Sequence, residues 1–100
     1  MYAIYTRRKR PDDAQRLRER AEKEFFPQLQ QAPGFVSMTL IENKEHETLA
    51  VMLWERHEDA TAFQAETRRW GEILEQVAPL ASQAQGEVVM HLTPRTAAQG

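Results

Sequence analysis

The run Leu49 to Trp54 constrains this chain more than any other segment. Leu49, Val51 and Leu53 alternate with Ala50, Met52 and Trp54, so as a strand the run carries apolar side chains on both faces. Each face needs a cover, since apolar surface left in water forgoes roughly 25 cal/mol per Å². The chain has 100 residues, enough for one domain. A chain this short buries only about 60–70% of the surface that its unfolded form exposes. One layer of helices is available, so the second cover is expected from another copy.

The remaining elements follow from periodicity and from turn residues. Residues 1–9 read as a strand, with Tyr2, Ile4 and Thr6 on one side and Ala3, Tyr5 and Arg7 on the other. Pro11-Asp12-Asp13 starts a helix, with Asp12 as the expected N-cap and Gln15 three residues on. Ala14, Leu17, Ala21, Phe25 and Leu29 recur at helical spacing over about four turns. Pro27 removes a backbone donor there and predicts a kink or a break, and Pro33-Gly34 ends the element.

Phe35 to Ile41 and Leu49 to Glu55 are expected to form a hairpin around a polar stretch, 42–47. His57-Glu58-Asp59-Ala60 suits a helix first turn and leads into a short helix through Phe63. Trp70, Ile73, Leu74, Val77 and Ala81 predict a second helical segment, closed by Pro79 and the Gln/Gly residues to Gly86. Glu87 to Thr93 reads as a last strand, and residues 95–100 as a flexible tail behind one domain spanning 1–94. The order β-α-β-β-α-β is that of an α+β, ferredoxin-like split βαβ fold with a four-stranded antiparallel sheet. Helices on one face leave the other sheet face for a homodimer packed sheet on sheet.

Hydrophobic residues make up 41% and charged residues 28%, as in soluble globular proteins. Without cysteine there is no disulfide, thiolate metal site or cysteine nucleophile. No apolar run approaches the roughly 20 residues of a membrane helix, and the basic cluster Arg7 to Arg10 follows the apolar N-terminus instead of preceding it as in a signal peptide. The expected compartment is the cytoplasm. The net charge is −2. Arg16, Arg18 and Arg20 alternate with Glu19, Glu22 and Glu24, which dilutes any basic face, so no nucleic-acid partner is expected.

Motifs that name a reaction are missing. The glycines at 34, 71, 86 and 100 form no phosphate loop, and Ser37 and Ser82 sit in no nucleophile elbow. His46, His57 and His91 are too dispersed for a local metal motif, so no metal and no cofactor is expected. His91, between Val89 and Thr93 on the last strand, is the histidine best placed to take a proton from a phenol or enol. The plainer reading makes it a strand histidine at a dimer seam. Trp54 ends a buried strand, and it could also wall an apolar cavity, with Phe63 and Trp70 joining it from the helical layer.

Pro33-Gly34-Phe35 opening one strand, a second strand ending in Trp54-Glu55, and Glu58-Asp59-Ala60 leading to Phe63 together carry a resemblance. The chain resembles the antibiotic biosynthesis monooxygenase (ABM) domain family of the dimeric α+β barrel superfamily over roughly residues 2–94. The resemblance implies a ferredoxin-like protomer, a homodimer joined through its sheets, and a pocket between sheet and helices. Some members are cofactor-independent monooxygenases in which a deprotonated polycyclic phenol itself passes an electron to oxygen, and the tryptophan matching Trp54 lines the pocket. The prototype's asparagine four residues earlier is replaced here by Ala50. Haem-degrading relatives use an asparagine, a tryptophan and an iron-ligating histidine, whose positions match Thr6, Phe63 and Ile73. Isoleucine cannot ligate iron, so haem degradation is not expected. The expectation is thus binding of a small apolar or aromatic molecule. Trp54, Phe63 and Trp70 are its expected contacts, and His91, Tyr5 and Thr6 are the polar, catalytic candidates. The alternative is a non-catalytic dimeric module, ligand-binding or structural.

Overall fold

The computed structural model describes residues 1–95. The elements are β1 (Tyr2–Lys9), α1 (Ala14–Glu24), α2 (Phe26–Gln31), β2 (Phe35–Glu42), β3 (Glu47–Trp54), α3 (His57–Glu66), α4 (Arg68–Val77) and β4 (Leu80–Glu87). The sheet has the order β2-β3-β1-β4 with every neighbouring pair antiparallel. This is the ferredoxin-like α+β plan.

The proline in the first helical stretch acts as expected. The stretch breaks at Phe25, and Pro27 falls in the first turn of α2, where its missing N–H has no helical partner to lose. Asp13, not Asp12, is the cap: its carboxylate accepts from the Arg16 N–H at 3.1 Å. The hairpin closes through Asn43, whose side-chain oxygen accepts from the backbone N–H of Glu45 and of Glu47 at 3.1 and 2.9 Å.

The last strand lies earlier than its sequence pattern predicts. The strand expected over Glu87–Thr93 is formed instead by Leu80–Glu87, and Ala81 belongs to it and not to α4. Register explains the shift. β4 pairs along the full length of β1, from Arg8 opposite Leu80 to Tyr2 opposite Glu87, and the last bond is Val88 N–H to Met1 C=O at 2.8 Å. Beyond it the chain runs past the end of β1, so Val89, Met90 and Leu92 stand largely exposed in spite of their alternation. The segment Ser82 to Gln85 is polar and weakly β-forming, and it is acceptable on an edge strand that has water beside it. The tail expected over residues 95–100 lies, beyond Arg95, outside the described residues.

The sheet faces segregate. Ile4, Thr6, Arg8, Ala50, Met52 and Trp54 face the helices. By alternation Tyr5 turns to the other face, where its register partners are Val51 and Ala84. The buried core occupies one end of the helix-facing side: Tyr2, Ile4 and Trp54 from the sheet, Leu29 from α2, Ala60 and Phe63 from α3. The other end is less filled. α1 buries only Ala21, and α4 buries no residue fully although Trp70, Ile73, Leu74 and Val77 form an apolar stripe.

Candidate functional site

The space left under α1 and α4 is a cleft of about 1010 Å³ between those helices and the sheet. Its sheet floor changes character along its length. Toward the core it is Ile4, Ala50, Met52 and Trp54, and toward the hairpin end it is Thr6, Arg8, Thr48 and Gln83. The polar group is held together by register, with Thr6 opposite Gln83 and Arg8 opposite Thr48. The roof is Leu17 and Ala21 of α1, Phe25 and Phe26 at the helix break, and Trp70 and Leu74 of α4.

A chain of aromatic contacts crosses from the hairpin sheet edge to this roof. Phe35 meets Trp54 edge-on at 5.5 Å, Trp54 meets Phe63 at 5.4 Å, Phe63 meets Phe25 at 5.6 Å, and Phe25 stacks on Trp70 at 5.3 Å with 14° between the planes. Such pairs hold ring orientations that a bare apolar wall does not.

The structure separates the residues singled out from sequence. Trp54, Phe63 and Trp70 all border the cleft, but Trp54 is 1% and Phe63 6% exposed, so both belong mainly to the packed core at its inner end. The indole N–H of Trp54 is enclosed without an oxygen acceptor. The partly exposed rings are Phe25, Phe26 and Trp70. Thr6 faces the cleft, whereas Tyr5 lies on the opposite sheet face. His91 is exposed and follows β4 instead of lying within a strand. Phe25, Phe26, Met38 and Met52 went unmarked as site residues, because in sequence their apolar spacing looks the same as that of core positions. The Pro27 break next to two phenylalanines was the signal, since a helix broken there exposes ring surface at its corner.

Charges gather at the hairpin end. Arg8 donates through Nη1 to Glu75 Oε1 at 2.7 Å and to the Ala78 carbonyl at 3.1 Å. This hydrogen bond holds the Glu75 carboxyl below the usual carboxylate range. Glu42 takes ion pairs from Arg10, at 3.4 Å, and from Arg18. The cleft lining contains no histidine, cysteine or tyrosine, and its only sulfur atoms are the thioethers of Met38 and Met52. This donor set does not fit a haem held by histidine, thiolate or phenolate, and no step is routed through one. Among the described residues no group of three or more His, Cys, Asp or Glu side chains is placed to hold a metal ion. No helix among them is long and apolar enough to cross a membrane.

The ferredoxin-like α+β fold is shared with solved structures of ABM-domain proteins. SnoaB, a cofactor-independent oxygenase from Streptomyces nogalater, is 14% identical with a TM-score of 0.71, over 93% of this chain and 98% of that one. A candidate antibiotic biosynthesis monooxygenase from Nitrosomonas europaea is 13% identical with a TM-score of 0.69, over 90% of this chain and 100% of its own. The haem degrader MhuD from Mycobacterium tuberculosis, solved with two haems in its active site, is 20% identical with a TM-score of 0.67, over 93% and 100%. At these identities the likeness is one of fold. No protein-family model matches the chain, and neither does any curated protein sequence.

The corner of the fold explains why the sequence resemblance reports architecture. The Gly34 carbonyl accepts from the Glu55 N–H at 2.7 Å, Gly34 lies against the Asp59 side chain, and Ala60 is buried behind them. The P-G-F and W-E…E-D-A residues thus pack upon one another where β2, β3 and α3 meet. They lock the fold.

Proposed function

We propose that this chain belongs functionally with the ABM-domain proteins: it binds a flat aromatic molecule in the cleft and oxygenates it without a cofactor. The observation that carries this reading is the cleft itself, with Phe25, Phe26 and Trp70 partly exposed above a floor that turns from apolar to polar. Stacking surface at one end and hydrogen-bonding groups at the other suit a ring system that bears oxygen. The likeness to a cofactor-independent oxygenase supports the reaction class.

In this chemistry the substrate anion passes an electron to oxygen, and the protein supplies a dry cavity and groups that steady the anion. Thr6, whose hydroxyl makes no hydrogen bond among the described residues, is placed to donate to such an oxygen. A threonine does not accept a proton at neutral pH. This reading therefore gives Thr6 the role of a donor to the substrate oxygen and not of a base. Ala50, where the resemblance implies an asparagine, favours a second reading in which the cleft binds and does not turn over.

The apolar outer sheet face, with Tyr5, Leu49, Val51 and Leu53, supports a homodimer joined there. The test of the cleft is oxygen uptake with a panel of anthrones and acidic phenols, together with fluorescence binding of the neutral probe N-phenyl-1-naphthylamine. Wild type is expected to bind the probe and consume oxygen, and Trp70→Ala to weaken both about tenfold under conditions in which its circular dichroism shows it folded. Absence of probe binding by wild type refutes the cleft reading. Binding without oxygen uptake on any substrate selects the non-catalytic one.

A further inference from the structure

We infer that the cleft's ligand is an aromatic anion and that Arg8 is the residue that receives its charge; this rests on the cleft-binding reading and adds the ligand's charge and its anchor. Arg8 is unusual in position. It is a β1 residue facing the helices, its side chain is only 20% exposed, and it borders the cleft beside Thr6 and Thr48. A guanidinium so placed is costly unless each of its donors finds a partner.

Its partners use one corner of the group. Both hydrogen bonds, to Glu75 and to the Ala78 carbonyl, leave from Nη1. Nε and Nη2 donate to no group among the described residues, and neither is sealed off, since the enclosed unpaired side-chain atoms are Arg10 Nε and Trp54 Nε1 alone. Nε and Nη2 are the edge of the guanidinium that grips a carboxylate or sulfonate with two parallel bonds, or a single phenolate oxygen with two converging ones. Glu75 stabilises the charge from the α4 side and leaves that edge free.

The other charges at this end do not compete for the anion. Glu42 is bound by Arg10 and Arg18, so on the cleft side of the sheet the ion pairs of the hairpin end join three arginines to Glu42 and Glu75. Glu72 also borders the cleft, on the next turn of α4, and is exposed. Thr6 and Gln83 add neutral donors next to Arg8. Combined with the aromatic roof at the opposite end, these groups select a molecule with a flat apolar body and one anionic group.

Two probes of nearly the same shape separate the charge from the rings: 8-anilinonaphthalene-1-sulfonate and the neutral N-phenyl-1-naphthylamine. Titrations followed by fluorescence at low salt are expected to show wild type binding the sulfonate about tenfold more tightly than the neutral probe. Arg8→Gln should weaken the sulfonate about tenfold and leave the neutral probe within about twofold, and Arg8→Lys should recover part of the loss. Glu75→Gln should tighten the sulfonate several-fold, because Arg8 is then unopposed. Equal affinity of wild type for the two probes overturns the inference while leaving the cleft reading intact. An equal loss of both probes in Arg8→Gln makes Arg8 a purely structural link between β1 and α4, and also overturns it. Binding of neither probe to wild type overturns the cleft reading and this inference together.

Discussion

Replacing Gly34 by alanine tests the corner on which the fold and the cleft both depend. Gly34 has φ +79°, a conformation that costs an L side chain about 1–2 kcal/mol. A Cβ at that position would lie 2.1 Å from Asp59 Oδ2, 2.4 Å from its Cγ and 2.8 Å from its Cβ. Asp59 has little room to yield. Its side chain is 11% exposed and paired with Arg56, and Ala60 beside it is 1% exposed. Relief therefore requires the start of α3 to move off β2, an overpacking cost of about 1–3 kcal/mol. The expected loss for Gly34→Ala is about 2–5 kcal/mol, against the roughly 5–15 kcal/mol that holds a typical domain together. By the usual scaling for domains of this size, that is a drop in Tm on the order of 10–30 °C.

Urea denaturation of Gly34→Ala, Asp59→Ala and the double variant gives a thermodynamic cycle that separates the two causes. Asp59→Ala removes the two nearest clashing atoms and leaves the Cβ contact and the backbone strain. Gly34→Ala should therefore cost about 1–2 kcal/mol less in the Asp59→Ala background than in wild type. Strict additivity, or a loss below about 1 kcal/mol for Gly34→Ala alone, would refute the reasoning.

Two further outcomes are expected. The Arg8 hydrogen bond depresses the Glu75 carboxyl, so the pair's contribution is present above the unfolded-state pKa of about 4.3 and lost as pH falls through the lower folded-state value. Thermal midpoints of wild type and Glu75→Gln should differ by a constant amount near neutrality and converge on acidification; a gap that does not narrow as pH falls contradicts the assignment. Val51→Lys, on the outer sheet face, should abolish the proposed dimer in analytical ultracentrifugation, and a wild type that sediments as a monomer at tens of micromolar removes the basis for sheet-on-sheet association.

How far the sequence reached is best seen from particular elements. The hairpin was legible because a short, continuous apolar run in Leu49–Trp54 and a polar loop before it leave few alternatives. The break in the first helical stretch was legible because proline lacks a donor whatever surrounds it. The last strand was misplaced because Val88 to Leu92 has the stronger β pattern, yet a strand forms where it has a partner, and β1 pairs with Leu80–Glu87. The same error put His91 on a strand. Tyr5 and Thr6 were both named as polar candidates, and alternation assigned them to opposite faces without saying which face the helices cover.

The sequence by itself determined the order of elements, the ferredoxin-like α+β plan and the two-sided apolar strand, since these follow from local periodicity and from backbone limits at Pro27 and Gly34. The tertiary structure alone decided that Trp54 and Phe63 are buried in the core while Phe25, Phe26 and Trp70 form a partly exposed roof, and that Arg8 meets Glu75 with one edge of its guanidinium free. The physical reason is distance along the chain. Arg8 and Glu75 are 67 residues apart, and only strand register and the docking of α4 bring them to one place.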